Sequence, residues 1–406
     1  MRKQLDESIL FMVILMEFRE RILTTMDHEE PDRVPVMSLL NEPSNVFQFL
    51  EKASVPYFNY LKKPLLKDLT RVLMNRNWLW NRDFFNVYKK VVDVSIQLGF
   101  DATWLLYLIF KLRRNKEFPL GMAWYDPWGR IWEVQVDKHG NPEPYYSRGY
   151  GNTEDRWREW SQKQLNFMKK FPGFAEAFHR KINDACGNRI FVVGFAGPGI
   201  FENSWQPIGF TEFIKFIYEK PRFVEEVIEF HAKLFMELVK SVCKAGNEII
   251  LIGDDLGHKT GPFLSPTLID QYFGEYYRQV VDYIHKQGKK VIFHSCGKIY
   301  KLLDQFIEYG IDGILTLEPT ADMDLARVRT QVGHKLVLIG NLDVSYLLVR
   351  GSQKEIRDAV KKAIKDAAPG GGFILAPAHN HSEVDATRLQ WMVEAAHKFG
   401  QYPLQF

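Results

Sequence analysis

Eight mostly apolar runs set the rhythm of this chain. They are Arg33–Leu40, Phe100–Tyr107, Arg189–Gly197, Glu248–Asp255, Lys289–Gly297, Ile311–Pro319, Lys335–Asp343 and Gly371–Asn380. Most are continuous, as in Ile249-Ile250-Leu251-Ile252, and do not alternate with polar residues. Continuous runs predict parallel strands covered on both faces. Helical patterns fill the gaps. Thr211–Ala245 reads as one long helix, with Phe213, Phe216, Ile217, Val224, Val227, Ile228 and Phe235 on helical spacing. Pro266–Gln287 reads as another, with Ser265 as N-cap and Pro266 at the first position. Lys354–Ala368 and Glu383–Phe399 complete the series. Repeated strand–helix alternation predicts a single α/β domain over residues 17–406, a (β/α)₈ barrel ahead of an open doubly wound sheet. Closure itself is not visible in a sequence.

The first half departs from this rhythm. A long insertion separates the first two strands, and within it residues 75–90 mix aromatic and basic side chains. An amphipathic helix with its aromatics turned inward explains that mixture better than stacking on nucleic-acid bases. Residues 122–148 hold Asp126-Pro127-Trp128-Gly129-Arg130 and then the alternating stretch IWEVQV, which predicts a β-hairpin over the barrel mouth. Residues 1–16 read as an N-terminal helix or a leader. The apolar core from Ile9 to Met16 would span only about 12 Å as a helix, against a hydrocarbon layer of about 30 Å, so no membrane span is expected.

Polar residues gather where the strands end, and in a barrel that end is the catalytic face. Asp254 and Asp255 close the fourth strand, with His258 just beyond; His294-Ser295-Cys296 closes the fifth and Glu318 the sixth. Asn341 and Asp343 close the seventh, and His379-Asn380-His381 the eighth. His294 and Cys296 are two apart and share one face of an extended strand. An imidazole beside a thiolate is half of a tetrahedral zinc site. His379 would point into the same mouth, and Asp254 or Asp255 would supply an oxygen. Adjacent residues on a strand face opposite ways, so only one of the two aspartates can do so. Three protein ligands with one open position make a catalytic zinc. The same H-x-C pair also fits plain packing or hydrogen bonding, and a Cys–His nucleophile lacks an evident orienting partner.

Composition narrows the field further. The chain has 406 residues, with 53 basic against 50 acidic side chains and a net charge of +3, which gives no electrostatic case for nucleic acid. Its three cysteines cannot form an even disulfide framework and fit a reducing cytoplasm. No GxGxxG or P-loop is present.

At its motifs the chain resembles the uroporphyrinogen decarboxylase-like superfamily. The carriers are GDDLGHKTGPFLSP (253–266), FHSCGKI (293–299), GNLDVSYLL (340–348) and GGFILAPAHN (371–380), with EEPDRVPV (29–36) and GFAGPGIFENSW (194–205) in support. The resemblance spans residues 17–404 and implies a (β/α)₈ barrel. The superfamily's decarboxylases bear arginines just after the first strand, where this chain reads MSLLNEPSN (37–45). Arg33 precedes that strand and belongs at the opposite end of the barrel, which leaves Lys298 and Arg130 as cations for a polycarboxylate. The other branch, the cobalamin-dependent methyltransferases, binds zinc through an H-x-C pair and a later thiolate. His294 and Cys296 match the pair, and His379 stands where the thiolate falls.

The resemblance therefore implies a metal-assisted methyltransferase. It would move a methyl group between a small methylated compound or thiol and a corrinoid carried on a partner protein. Asp254, Asp255, His258 and Glu318 are the acid–base and supporting candidates around a zinc at His294, Cys296 and His379. Exposed hydrophobic positions in the 45–120 region would serve either a homodimer or the docking of a corrinoid partner. Two alternatives are a porphyrinogen decarboxylase and a non-catalytic tetrapyrrole-binding barrel. The second sits poorly with strand ends so rich in ionisable groups, because burying such groups unpaired is unfavourable by several kcal/mol or more.

Overall fold

Apolar runs that alternate with helices close on themselves. The computed structural model describes residues 16–38, 89, 92–104, 113–114, 123–126, 128–136, 142–379 and 383–405. The expectations for residues 1–15, the aromatic and basic stretch at 75–90, and Asn380 and His381 lie outside them.

In chain order the strands are β1 (Met37–Ser38), β2 (Ala102–Trp104), β3 (Arg113–Arg114), β4 (Ala123–Tyr125), β5 (Arg130–Val136), β6 (Pro142–Gly149) and β7 (Phe191–Pro198). There follow β8 (Ile249–Gly253), β9 (Gly257–His258), β10 (Gly261–Pro262), β11 (Lys290–His294), β12 (Gly313–Thr316), β13 (Val337–Leu342) and β14 (Phe373–Pro377). Eight of them form one parallel sheet in the order β1-β2-β7-β8-β11-β12-β13-β14. A parallel bridge from Val36 to Leu375, with the Leu375 amide 2.9 Å from the Pro35 carbonyl, brings β14 back against β1. Each of the eight runs read from the sequence supplies one barrel strand. The strand cores are sealed: Ile250, Ile252, Phe293, Ile314, Leu338 and Leu375 are each at most 1% exposed.

The hairpin expected at 122–148 is part of a four-stranded antiparallel sheet, β3-β4-β5-β6. Its turn is built on Asp126, whose Oδ1 accepts from the Trp128 and Arg130 amides and whose Oδ2 accepts from Arg130 Nε and Trp132 Nε1. Arg130 and Tyr146 both reach Gln206, just beyond β7, so the inserted sheet leans over the segment that leaves this strand.

Two helical expectations need correction. Thr211–Ala245 is two helices, Phe210–Glu219 and Pro221–Lys244. Pro221 cannot continue the preceding helix, because it lacks an N–H and its ring disfavours the helical region at Lys220, which sits at φ −140°, ψ 55°. Pro266–Gln287 begins as expected, with the Ser265 hydroxyl accepting from the Leu268 amide, but a π-helical turn at Asp270–Gly274 interrupts it. A 33-residue helix, Glu154–Cys186, was not anticipated. Thr153 caps it, and Trp157, Trp160, Phe171 and Phe178 face the core. No helix among the described residues is long and apolar enough to cross a membrane.

Candidate metal centre at the barrel mouth

The end of β8 separates its two aspartates. Asp254 is fully buried and points at the short helix Ile200–Trp205, accepting from the Phe201 and Glu202 amides at 2.9 and 2.8 Å and from the Tyr277 hydroxyl at 2.5 Å. Burial pushes its carboxyl up to about 7 against those three hydrogen bonds. The close approach needs a glycine at 199, where a Cβ would lie 2.2 Å from Asp254 Oδ2. Asp254 thus ties the loop after β7 to the barrel. Its neighbour turns the other way, as strand geometry requires.

Asp255 meets the end of β11. Its Oδ1 accepts from the Cys296 amide at 2.8 Å and lies 3.5 Å from His294 Nε2. Cys296 Sγ is 3.6 Å from the same nitrogen. One ligand atom from each of Asp255, His294 and Cys296 lies within 4.8 Å of the others, the separation a single cation spans. The other imidazole nitrogen, His294 Nδ1, is 2.7 Å from Thr316 Oγ1 at the end of β12. Burial lowers the His294 pKa, while Asp255 and Glu318 pull it up. Burial also raises the Cys296 thiol well above its usual range, and the Asp255 carboxylate adds to that. The donor set of one nitrogen, one sulfur and one oxygen suits a borderline metal such as zinc.

The remaining sequence candidates divide. Glu318 is part of the cluster's surroundings: its Oε2 accepts from the Gly297 amide at 3.2 Å, and its Oε1 from Thr320. His379 stands beside the cluster, exposed, with its ring centroid 6.3 Å from that of His294. The sequence offered His379 as third ligand and Asp254 or Asp255 as an oxygen donor; of these, Asp255 lies in the three-atom cluster with His294 and Cys296. His258 is exposed, stacked on Phe263, with Nδ1 3.2 Å from Thr260 Oγ1; its carbonyl accepts from the Lys298 amide and so braces the β11 loop from outside. Asn341 donates to the Met323 carbonyl, and Asp343 caps the turn at Ser345–Leu347.

Two neighbours of the site were not singled out from the sequence. Glu202 lies on the Ile200–Trp205 helix and accepts from Gln206 Nε2 at 2.9 Å. Burial, with the charges of Asp255 and Asp254, lifts its carboxyl well above the usual range, and Arg130 opposes the lift. Gln206 in turn accepts from Arg130, so a polar chain runs from Asp255 through Glu202 to the inserted sheet. The acid two residues after Gly-Ile in GFAGPGIFENSW was the available signal. Thr316 is the other, a hydroxyl at the end of an otherwise apolar strand.

The comparisons with known proteins agree with this architecture. The family model described as Uroporphyrinogen decarboxylase (URO-D) matches residues 135–399. A uroporphyrinogen decarboxylase of Mannheimia succiniciproducens is 25% identical over 237 residues, covering 55% of this chain and 63% of the relative. One from Actinobacillus pleuropneumoniae serotype 5b is 25% identical over 233 residues, with the same shares covered. The matches therefore span less than two thirds of those relatives. A solved methyltransferase from Methanosarcina mazei superposes with a TM-score of 0.67 at 17% identity, covering 95% of this chain and 99% of that one, and shares its fold.

Proposed function

This chain belongs to the uroporphyrinogen decarboxylase (URO-D) family, and we propose that within it the protein is a metal-assisted methyltransferase. The observation that carries this reading is the convergence of Asp255, His294 and Cys296 on one point at the barrel mouth. His294 Nε2, Cys296 Sγ and an Asp255 oxygen would hold a zinc ion, with His379 at the rim beside it. Bound there, the ion would supply a Lewis acid that keeps a substrate thiol deprotonated or draws charge from a leaving heteroatom.

The protein's own groups provide the setting. Ser295 Oγ accepts from the Leu256 amide at 3.0 Å and locks the β11 end against β8. Glu318 fixes the backbone at Gly297, and Glu202 is tied through Gln206 to Arg130 of the inserted sheet. The methyl group would pass between a small methylated compound or thiol and a corrinoid presented by a partner protein, in the manner of the resemblance to the methyltransferase branch. A thiolate held by the ion at His294, Cys296 and Asp255 would be the methyl acceptor, and the corrinoid would supply the activated methyl group.

Decarboxylation of a porphyrinogen is less well supported. Among the described residues, the cations named for it from the sequence are engaged: Lys298 with Asp322 at 2.6 Å, Arg130 with Asp126 and Gln206, and Arg33 with Asp101 at the far end of the barrel. The test is to purify the protein, measure bound zinc, and assay methyl transfer from methylcobalamin to thiols beside CO₂ release from uroporphyrinogen. About one zinc per chain, lost in Cys296→Ser together with methyl transfer, is expected. Zinc-free wild-type protein from zinc-replete cells, or CO₂ release without methyl transfer, would overturn the reading.

A further inference from the structure

The end of β12 holds an unusual backbone. Thr316 has φ 108° and Leu317 φ 46°, two consecutive non-glycine residues on the left-handed side. For a β-branched residue this is a genuine outlier, because Cβ crowds the neighbouring carbonyl. Thr316 is also fully buried, in a strand whose other residues are Gly313, Ile314 and Leu315. The neighbouring strand accommodates it. Gly340 pairs with Thr316 across β12 and β13, and a Cβ at 340 would lie 2.5 Å from the Thr316 carbonyl oxygen. The unusual conformation delivers one contact to the site: Thr316 Oγ1 meets His294 Nδ1 at 2.7 Å.

We infer that Thr316 is a positioning residue whose hydroxyl holds the His294 ring with Nδ1–H donated to Oγ1 and the Nε2 lone pair aimed at Cys296 and Asp255. A neutral imidazole has one donor and one acceptor nitrogen, and the partner of one nitrogen fixes the role of the other. Without a partner at Nδ1, the ring is free to protonate at Nε2 or to turn about its bond to Cβ. Either change removes the lone pair from the point where the three donor atoms converge. This orienting of a metal-binding imidazole is worth about 10–100-fold in metal affinity where it has been lost by mutation. The importance of the lone pair rests on the reading of His294 as a ligand; the ring state itself does not.

The experiment uses the full chain with ¹⁵N-labelled histidine, metal-free, in wild type, Thr316→Val and Thr316→Ser. Two-bond proton–nitrogen correlations report the tautomer of each ring, and His294→Gln assigns the signal. The same proteins then compete for zinc with a chromophoric chelator. Wild type is expected to show Nδ1–H at His294. Thr316→Val keeps the branched shape and the fold but should lose that tautomer, and should bind zinc about 10–100-fold more weakly. Thr316→Ser should restore both. An Nε2–H tautomer in the wild type, or an unchanged tautomer in Thr316→Val, overturns the inference. If Thr316→Val does not fold, Thr316→Ala, which also removes the hydroxyl, is read in its place against the wild-type tautomer. If wild type shows the expected tautomer and Thr316→Val loses it, but no protein takes up zinc, the metal reading fails and the positioning role stands.

Discussion

The two ends of this barrel treat charge in opposite ways. At the end where the strands begin, Arg21, Asp32, Arg33 and Asp101 form a closed network. Arg21 donates to both aspartates, Arg33 chelates Asp101, and the Val36 amide completes the acceptor set of Asp101. Arg21, Asp32 and Asp101 are at most 5% exposed, so each charge is removed from water and matched by its opposite. At the mouth, Asp255, Glu202 and Glu318 gather around the His294 imidazole and the Cys296 thiol, and Glu202 and Cys296 are driven away from their charged forms. Paired charges make a structural clamp. Like charges held together raise free energy and persist only where the fold elsewhere is stable enough to impose them, as at sites that act on a ligand.

The contrast can be broken from either side, and the largest effect is expected at the clamp. Asp101→Ala strands the Arg33 guanidinium and the Val36 amide and leaves Arg21 paired with Asp32 alone, and should destabilise the protein by about 3–5 kcal/mol in urea denaturation while leaving zinc affinity unchanged. A loss under 1 kcal/mol would show that the network is not the clamp it resembles. At the mouth the signs reverse. Asp255→Asn relieves repulsion on Glu202 and Cys296, so the metal-free protein should be no less stable, yet zinc affinity should fall about 100-fold, near 2.7 kcal/mol. Equal zinc affinity by chelator competition would remove Asp255 from the ligand set and return the third position to His379.

The helices packed outside the barrel sharpen the comparison, because there an ionisable group is buried with no hydrogen-bond partner among the described residues. His231 is 1% exposed, stacks on Trp160, and neither ring nitrogen has a hydrogen-bond partner among the described residues. Burial lowers its pKa to about 3, below the unfolded value near 6.5, so protonation favours the unfolded chain. Its contribution is intact above pH 6.5 and is lost as pH falls toward 3, at about 1.4 kcal/mol per pH unit. His231→Leu should flatten the acid limb of the stability curve by that slope between pH 6 and 5. Parallel curves for the two proteins would show that the ring finds a partner when charged.

Much of the fold was legible along the chain. Eight strands could be placed because a parallel strand covered on both faces needs an unbroken apolar run, and such runs stand out against helical spacing. The single helix read over Thr211–Ala245 failed at Pro221, where the hydrophobic period continues but the backbone cannot. The Glu154–Cys186 helix was missed because its apolar positions lie among many charged ones. In the site, His294 with Cys296 and the opposite facing of Asp254 and Asp255 followed from the two-residue period of a strand. Which of the two aspartates comes within reach of the H-x-C pair, and how close His379 stands to it, did not. Both depend on how far β8 and β14 stand from β11 around the barrel.

The sequence by itself therefore determined the elements and the chemistry that each strand carries to its end. Periodicity and residue type are local, and a strand fixes which way its own side chains face. Only the tertiary structure decided that β14 returns to β1, that Glu202 reaches Asp255 from another element, and that a left-handed Thr316 lies against His294. Those outcomes depend on strand tilt, loop path and a backbone conformation that Gly340 makes room for. No local pattern encodes a distance between residues that meet only after the barrel has closed.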